Sequence, residues 1–249
     1  MLLRSIIVED EPLSRAFLQN LLTEFCPGVE VLDKAATPAD AIAAIQRHQP
    51  DLVFLDIELQ SGTGFDVLNE ITDPRFQVLF TTAFDHHSIK AIRCSGMDYL
   101  LKPIDLEGLQ QAIECIRGKI GKADSQLALD HLLKTIRNNN TPTEISLPTA
   151  TGPEFITISD ITRIEAEEKG CRLLLRSGES RSSVKNLKEF EFLLGDHSFF
   201  RPHSMHMINI KEIDRIINTA DGYVVMNDGT HIPVSPKKRN EMPGLLKRF

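Results

Sequence analysis

Short apolar runs alternate with segments of helical periodicity in the first half of the chain. Between these runs, apolar residues recur at helical spacing, and Pro12 and Pro38 stand where helices would begin. The runs that predict buried β-strands are residues 3–8, 29–35, 52–55, 78–80 and 98–101. Five strands alternating with five helices predict an α/β fold, a doubly wound five-stranded parallel sheet with helices on both faces.

The second half has a different pattern, with short β-rich runs separated by turns such as Asp228-Gly229. The predicted strands are residues 145–147, 155–158, 161–165, 171–176, 180–183, 207–209, 213–219, 223–226 and 231–233. Only residues 187–194 and 236–246 have a helical pattern there. Residues 124–137 are also helical, and the segment 138–142, rich in Asn and ending in Pro, breaks that helix. We therefore predict a first domain at residues 1–120, a helical linker and hinge at 121–143, and a mainly β domain at 144–249, with His131 of the linker on the surface.

The net charge of −7 argues against nucleic-acid binding only when it is averaged over the whole chain. Residues 1–123 carry 11 basic and 18 acidic side chains, whereas residues 144–249 carry 15 of each. All of the acidic excess therefore belongs to the first half. Four widely spaced cysteines, the charged residues Arg4 and Glu9 near the N-terminus, and the lack of a long apolar run predict a cytoplasmic protein that does not enter a membrane.

Polar residues follow four of the five strands predicted in the first half. Glu9 and Asp10 follow the first strand, Asp56 the third, Thr82 the fourth and Lys102 the fifth. Ligands bind at the carboxyl ends of the strands in doubly wound sheets. Three carboxylates at one place would repel each other unless a cation lay between them, and all-oxygen ligation suits Mg²⁺.

This arrangement predicts phosphoryl transfer to a carboxylate. Asp56 would be the nucleophile, and Mg²⁺ held by Glu9, Asp10 and Asp56 would neutralise the transferring oxygens. Lys102 would pair with the phosphoryl group, and Thr82 would donate a hydrogen bond to it.

Four segments of the first half carry a family resemblance: Val8-Glu9-Asp10-Glu11-Pro12, Leu55-Asp56-Ile57, Thr82-Ala83 and Asp98-Tyr99-Leu100-Leu101-Lys102-Pro103. Through them, residues 1–120 resemble a response-regulator receiver domain, which has a flavodoxin-like fold. The resemblance implies that a histidine kinase phosphorylates Asp56 and that the main-chain carbonyl of Glu58 also ligates the metal. It further implies that Tyr99 is the switch aromatic, which turns inward as Thr82 moves toward the phosphoryl group. Glu9 departs from the family pattern, in which Asp is commoner; Glu keeps the negative charge but has a longer reach.

The second half carries another resemblance in the segments 161–166, 183–189, 199–209 and 228–235. Residues 145–249 resemble a LytTR DNA-binding domain. This family has an elongated β fold whose loops touch successive major grooves of double-stranded DNA and the minor groove between them. It recognises paired direct repeats in promoters, so the resemblance implies a homodimer.

Carried onto this sequence, the family's DNA-facing positions fall in three loops. They are Lys169, the group Arg201, His203, Ser204 and Asn209, and the basic run Lys237, Lys238 and Arg239. Lysine and arginine can neutralise phosphates, and arginine can also read guanine. Ser204 and Pro236 stand where the family usually has basic residues, which could weaken affinity or change base preference.

Together these features predict a two-component transcriptional regulator that dimerises when Asp56 is phosphorylated. One alternative is a receiver whose β domain binds a protein instead of DNA. A second is a phosphatase with an aspartyl-phosphate intermediate, but such an enzyme would carry another Asp where this chain has Glu58. We therefore predict that the chain is not an enzyme.

Overall fold

The computed structural model of the chain describes residues 2–72, 74–83, 86–119, 124–137, 142–149, 152–195, 197–217, 222–239 and 241. They form two compact units. The first unit is Met1–Pro142 with Thr149–Pro153, and the second is Thr143–Pro148 with Glu154–Phe249.

The first unit is built on five parallel strands in the order β2-β1-β3-β6-β7. Its strands are β1 (Leu3–Val8), β2 (Val29–Ala35), β3 (Leu52–Asp56), the small pair β4 (Glu58–Leu59) and β5 (Gly62–Thr63), β6 (Gln77–Thr82) and β7 (Asp98–Leu101). Its helices are α1 (Pro12–Phe25), α2 (Pro38–His48), α3 (Gly64–Glu70), α4 (His86–Ser95), α5 (Leu106–Lys119) and α6 (Asp124–Arg137). The predicted doubly wound parallel sheet is confirmed.

Local sequence explains where several of these helices begin. Pro12 and Pro38 occupy first helical turns, where the missing N–H of proline has no cost. The Thr37 hydroxyl accepts a hydrogen bond from the amide of Asp40, and Thr63 and Asp66 form a reciprocal capping box at the start of α3. These caps satisfy backbone amides at the start of α2 and α3, the helices that follow β2 and the β4–β5 pair.

The two faces of the sheet carry separate apolar cores. One face packs against α1 and α5, through residues such as Leu22 and Ile113. The other face packs against α2, α3 and α4, with Phe80 of β6 fully buried among them. Strands covered on both faces have no polar side, which is why β3 is a continuous apolar run up to Asp56.

Helix α6 packs within the first unit. Its residues Leu129, Leu132 and Leu133 are buried in the same cluster as Ile92 of α4. The His131 imidazole Nδ1 lies 2.9 Å from the Ser95 hydroxyl, and both side chains are buried. The prediction that His131 lies on the surface is therefore wrong, because it belongs to the apolar face of α6. The segment 138–141, where a hinge is predicted, lies outside the described residues.

The second unit is mainly β. Its strands are β8 (Glu144–Thr149), β9 (Gly152–Thr157), β10 (Ile161–Glu167), β11 (Gly170–Leu175), β12 (Ser180–Ser183), β13 (Phe199–His203), β14 (His206–Asn209), β15 (Ile213–Ile217), β16 (Tyr223–Met226) and β17 (His231–Pro233). The adjoining ends of β8 and β9, at Thr149 and Gly152–Pro153, are counted with the first unit. Its helices are α7 (Leu187–Leu194) and α8 (Pro236–Arg239). The antiparallel sheets have the orders β12-β11-β10-β14-β13 and β15-β16-β17, and β8 pairs with β9.

Strand β13 is the main element of this unit that the sequence did not predict. Proline cannot donate a hydrogen bond to a sheet, so Pro202 argues against a strand. In the structure β13 is an edge strand, and its register shifts between Phe200 and His203, which accommodates the proline. Of the helix predicted over residues 236–246, the structure describes residues 236–239 as helical and 241 as a turn, and the rest lies outside the described residues.

Candidate functional site

The carboxyl ends of β1 and β3 bring three carboxylates together. Glu9 and Asp56 are 2% and 3% exposed, Asp10 is half-buried, and one oxygen of each lies within 4.8 Å of the others. A cavity of about 320 Å³ opens over them and is also lined by Glu58, Ala83 and Lys102. Glu9, Asp10, Asp56 and Lys102 are called the acidic pocket below.

Lys102 supplies the positive charge of the acidic pocket. Its ammonium nitrogen lies 2.5 Å from an Asp56 oxygen and 2.6 Å from a Glu9 oxygen. Burial tends to lower the pKa of Lys102, but the hydrogen bonds to Asp56 and Glu9 outweigh burial and raise it. Burial raises the pKa of Glu9, the hydrogen bond from Lys102 offsets part of this rise, and the charge of Asp56 adds to it. The lysine therefore stays charged and holds two buried carboxylates that would otherwise repel each other.

The backbone around Asp56 is held from two directions. The amide of Glu58 donates a hydrogen bond of 3.1 Å to the Asp56 carboxylate. Gly64 approaches so closely that a Cβ there would lie 2.2 Å from the Asp56 carbonyl oxygen. Gly64 is not among the site residues predicted from the sequence, although a glycine close after the predicted nucleophile is a signal for such an approach.

Arg15 was also missed by sequence reasoning. Its guanidinium donates to the main-chain carbonyls of Glu9 and Asp10, at 2.5 and 3.4 Å. It therefore fixes the loop that carries two of the three carboxylates. Pro12 starts α1 directly after this loop, and Arg15 lies one turn further on.

Thr82 and Tyr99 lie on neighbouring strands beside the acidic pocket. Thr82 is 1% exposed, at the end of β6. Its carbonyl accepts a 2.8 Å hydrogen bond from the Lys102 amide, which ties the end of β6 to the segment after β7. Tyr99 is half-buried and packs against the core shared with α4. The strand pairing thus connects both predicted switch residues with the pocket lysine. The peptide bond between Lys102 and Pro103 is cis.

In the second unit, several predicted residues meet at one end of the five-stranded sheet. The exposed Lys169 lies in the turn between β10 and β11, His203 is the last residue of β13, and Ser204 follows it in the turn to β14. The Ala166 amide donates to the Met205 carbonyl at 2.9 Å, which joins the two turns. This end, formed by the two turns and the exit of β12 at Val184, is called the turn end below.

The basic run near the C-terminus lies close to the turn end. The Ser235 amide donates to the Pro202 carbonyl at 2.9 Å, so α8 starts beside β13. Lys238 lies 5.7 Å from the centre of the Phe200 ring and pairs with Glu241 at 2.7 Å. Lys237 is exposed, and Arg239 is half-buried with its Nε 3.4 Å from the Val234 carbonyl.

Two of the predicted residues have structural partners instead. Arg201 pairs with Glu191 at 3.0 Å and donates to the Ser204 carbonyl at 2.9 Å, so it supports the turn from behind. Asn209 is 3% exposed and lies at the opposite end of β14. It donates to the Ile161 carbonyl and accepts from the Lys211 amide, both at 3.1 Å. The structure therefore does not bring Asn209 to the turn end.

A charge network lies next to the turn end. Arg163 is 7% exposed and pairs with Glu165 and Asp228, and Arg172 pairs with Glu165 at 2.9 Å. Burial tends to raise the pKa of Glu165, but the hydrogen bonds from Arg163 and Arg172 outweigh it and hold the pKa below its ordinary value. The pKa of Asp228 is lowered as well: hydrogen bonds from Thr230 and Arg163 outweigh the effect of burial. The network holds β10 and the β16–β17 turn together.

Among the described residues, no helix has the length and apolar character needed to cross a bilayer. Two protein families match the sequence. The family model of the response regulator receiver domain matches residues 6–114, and the family model of the LytTr DNA-binding domain matches residues 153–247.

Relatives match both halves of the chain. An uncharacterised response regulatory protein of Yersinia pestis is 30% identical over 240 residues, which cover 94% of each chain. The sensory transduction protein LytT of Bacillus cereus is 28% identical over 251 residues, which cover 99% of this chain and 100% of its own. The transcriptional regulatory protein BtsR of Salmonella typhi is 29% identical over 242 residues, which cover 94% of this chain and 95% of its own. The chain thus belongs to the family of response regulators in which a receiver domain is joined to a LytTr DNA-binding domain.

Proposed function

We propose that Asp56 accepts a phosphoryl group from a histidine kinase and that this step controls the binding of a promoter by the second unit. The observation that carries the proposal is the convergence of three carboxylates and one lysine within the acidic pocket. An Asp56 oxygen attacks the phosphorus of a phosphohistidine. The new P–O bond forms as the P–N bond breaks, and the released imidazole keeps the electron pair and takes up a proton from water.

The residues of the acidic pocket fit Mg²⁺. Three carboxylate oxygens within 4.8 Å of one another offer the all-oxygen ligands that this ion prefers. Glu9, Asp10 and Asp56 would hold it, with the main-chain carbonyl of Glu58 as a further ligand. When bound, Mg²⁺ neutralises charge on the transferring oxygens.

The other residues of the site orient and hold the group that arrives. Lys102 already lies 2.5 Å from Asp56, so it can pair with a phosphoryl oxygen after a small shift. The Thr82 hydroxyl donates to another phosphoryl oxygen, and Tyr99 follows it inward. This rearrangement shifts a two-state equilibrium toward a homodimer.

For DNA recognition we propose the turn end and α8. Lys169, His203, Ser204, Lys237, Lys238 and Arg239 contact phosphates or bases, and Arg201 acts by positioning the Ser204 turn. Asn209 has no part in this surface because it is buried at the other end of β14. In a cytoplasmic homodimer, the second unit of each subunit would occupy one of two paired direct repeats. The dimer would then bind DNA more tightly than a single second unit does.

Labelling with acetyl phosphate and Mg²⁺ tests the acceptor. The wild type should take up the phosphoryl group, and Asp56→Asn should take up none. Glu114→Gln is a matched control because it removes an exposed carboxylate of α5, 75% exposed, in the same unit. Equal labelling of Asp56→Asn and wild type would show that another residue is the acceptor.

Selection of bound DNA, with and without beryllofluoride as the phosphoryl mimic, tests the second half of the proposal. On the selected duplex, the triple change of Lys237, Lys238 and Arg239 to alanine should make the dependence of log affinity on log salt shallower, by at most about 2.7, because each phosphate contact contributes about 0.9 and Lys238 must first exchange its pair with Glu241 for a phosphate. Lys211→Ala, an exposed lysine beyond the far end of β14, is the control and should leave the slope unchanged. An unchanged slope in the triple variant would remove α8 from the DNA surface.

A further inference from the structure

Two exposed apolar side chains lie at the turn end. Among the large apolar residues described in the second unit, Val184 and Met205 are the exposed ones, at 79% and 46%. Other apolar residues of the five-stranded sheet are less accessible: Met207 and Ile208 are buried, and Leu174 and Leu175 are half-buried. The turn end therefore combines the exposed cation Lys169 with apolar groups that no part of the described domain covers.

Val184 is held directly against the turn that carries Lys169. Ser183, the last residue of β12, pairs with Cys171 at the start of β11. A Cβ added at Gly170 would lie 2.0 Å from the Ser183 carbonyl oxygen and 2.9 Å from the Val184 Cα. Gly170 also has a φ of +114°, which favours glycine. The absence of a side chain at Gly170 thus allows Val184 and Lys169 to form one continuous surface.

Strand spacing places Val184 and Met205 on opposite sides of that turn. They border β12 and β14, which are three strand spacings apart in the order β12-β11-β10-β14. At about 4.8 Å per spacing, they are separated by about 14 Å, which is close to the width of a major groove, about 12 Å. A groove centred on the Lys169 turn would therefore have Val184 along one side.

The acidic residues beside the turn are partly neutralised. Arg172 pairs with Glu167 at 3.4 Å as well as with Glu165 at 2.9 Å. This pairing reduces the repulsion of DNA phosphates by the end of β10. It leaves the Lys169 ammonium and the Val184 methyl groups available for contact.

From this geometry we infer that Val184 contacts the 5-methyl group of a thymine in the major groove, and that the domain thereby distinguishes thymine from cytosine at one position of its site. The inference rests on the DNA surface proposed above. The thymine methyl is the apolar group that base edges present in the major groove. A β-branched side chain has few rotamers to lose, so a contact made by Val184 costs little conformational entropy.

The test couples one methyl group on the DNA with one side chain on the protein. On the selected duplex, each thymine is replaced in turn by uracil, which lacks only the 5-methyl group. The full-length wild type should lose affinity about fourfold at one position, the value of burying one methyl group. Val184→Ala should bind the thymine and uracil duplexes equally at that position, and Val184→Ile should keep the preference.

Met205→Ala is the matched control. It removes the exposed apolar group on the other side of the turn and should leave the thymine-to-uracil ratio at that position unchanged. Because Val184 is 79% exposed, its replacement leaves the core intact, which circular dichroism verifies. If wild type and Val184→Ala show the same ratio at every thymine, the inference is overturned while the proposed DNA binding stands. If the wild type selects no DNA at all, both fail.

Discussion

The acidic pocket and the turn end use charge in opposite ways. In the pocket, Glu9 and Asp56 are almost fully buried and converge on one lysine nitrogen. At the turn end, Lys169 and Ser204 lie on exposed turns, and the half-buried Arg201 already pairs with Glu191. In the function proposed above, the pocket holds one small dianionic group, whereas the turn end makes separate contacts to a long, repetitive polyanion.

This difference determines how strongly single side chains matter. Charges removed from water interact strongly, and the loss of one partner leaves the other buried without compensation. Exposed cations are screened by salt, and each contributes a modest and nearly independent part of DNA affinity. We therefore expect large effects on stability at the pocket and small, additive effects on binding at the turn end.

The largest effect is expected at Lys102. Lys102→Met keeps a similar volume but leaves Glu9 and Asp56 facing each other without a cation. In the absence of divalent metal, the first unit should lose about 4 kcal/mol of unfolding free energy. Mg²⁺ should restore more of this free energy in the variant than it adds to the wild type, because the ion replaces the missing charge.

Urea unfolding followed by tyrosine fluorescence can report on each unit separately. The chain has no Trp and two Tyr, one in each unit. A Tyr223→Phe background leaves Tyr99 as the fluorescent reporter of the first unit. Lys34→Met serves as a control, since Lys34 forms an exposed hydrogen bond to Gln19 away from the pocket. A loss below about 1 kcal/mol for Lys102→Met would be typical of a screened surface pair, and would contradict the contrast between the two regions.

The next effect concerns α6, whose packing makes it part of the first unit. Leu132 of α6 is fully buried in the cluster that also contains Ile92 of α4. Because Leu132→Ala would leave a cavity in this core, it should lower the free energy of unfolding of the first unit by about 3 kcal/mol. Leu127→Ala, on the same helix but 50% exposed, should cost less than about 0.5 kcal/mol. Hydrogen exchange of the α4 and α6 amides would measure the loss, and equal protection in the two variants would mean that α6 is not anchored in solution.

The same contrast explains what the sequence could and could not predict. Strand ends in a parallel sheet converge by geometry, so Glu9, Asp56 and Lys102 could be assigned to one pocket from their positions alone. The turn end had no such constraint. Arg201 and Asn209 stood in the right segments, but whether an arginine faces solvent or Glu191 depends on tertiary partners that no local pattern records.

Two differences between the predicted and the observed fold have the same origin. His131 lies on the apolar face of α6, but the partner that buries it, Ser95, is 36 residues away. Strand β13 was not predicted, because a lone segment that contains Pro202 does not reveal whether it will be an edge strand. The sequence predicted which residues have the chemistry for a site. It predicted which distant residues lie together only where the sheet topology determines their positions.

A smaller effect is expected at Arg163 in the second unit. Arg163→Met removes a partner of Glu165 and Asp228, and should cost about 2 kcal/mol at pH 7, since Arg172 still compensates Glu165. The carboxyls of Glu165 and Asp228 have a lower pKa in the folded protein than in the unfolded chain. Their ionised forms therefore stabilise the fold at a pH above the unfolded pKa, and this stabilisation is lost as the pH falls through the folded pKa. The difference between variant and wild type should therefore be largest near neutrality and shrink in acid.

A Tyr99→Phe background leaves Tyr223 as the reporter for this measurement. The control is Arg215→Met, because Arg215 is 66% exposed and its pair with Asp214 at 3.6 Å is screened by solvent. A difference between Arg163→Met and wild type that stayed constant down to pH 3 would show that Arg163 acts through packing and not through its charge.

The smallest effects, at the turn end, separate a cation that binds DNA from one that supports a turn. Lys169→Ala should reduce the salt slope of DNA binding by about 0.9 and lower affinity to the same degree on every duplex, because a phosphate contact carries no sequence information. Arg201→Ala should leave the slope nearly unchanged, since the guanidinium is already engaged by Glu191 and the Ser204 carbonyl. It should instead reduce the preference for the selected duplex, because the Ser204 turn loses its support.

Salt titrations on selected and scrambled duplexes measure both quantities. If Arg201→Ala lowers the slope as much as Lys169→Ala does, the Glu191 pair opens when DNA binds, and the turn end has one more cation for phosphates than its free geometry offers.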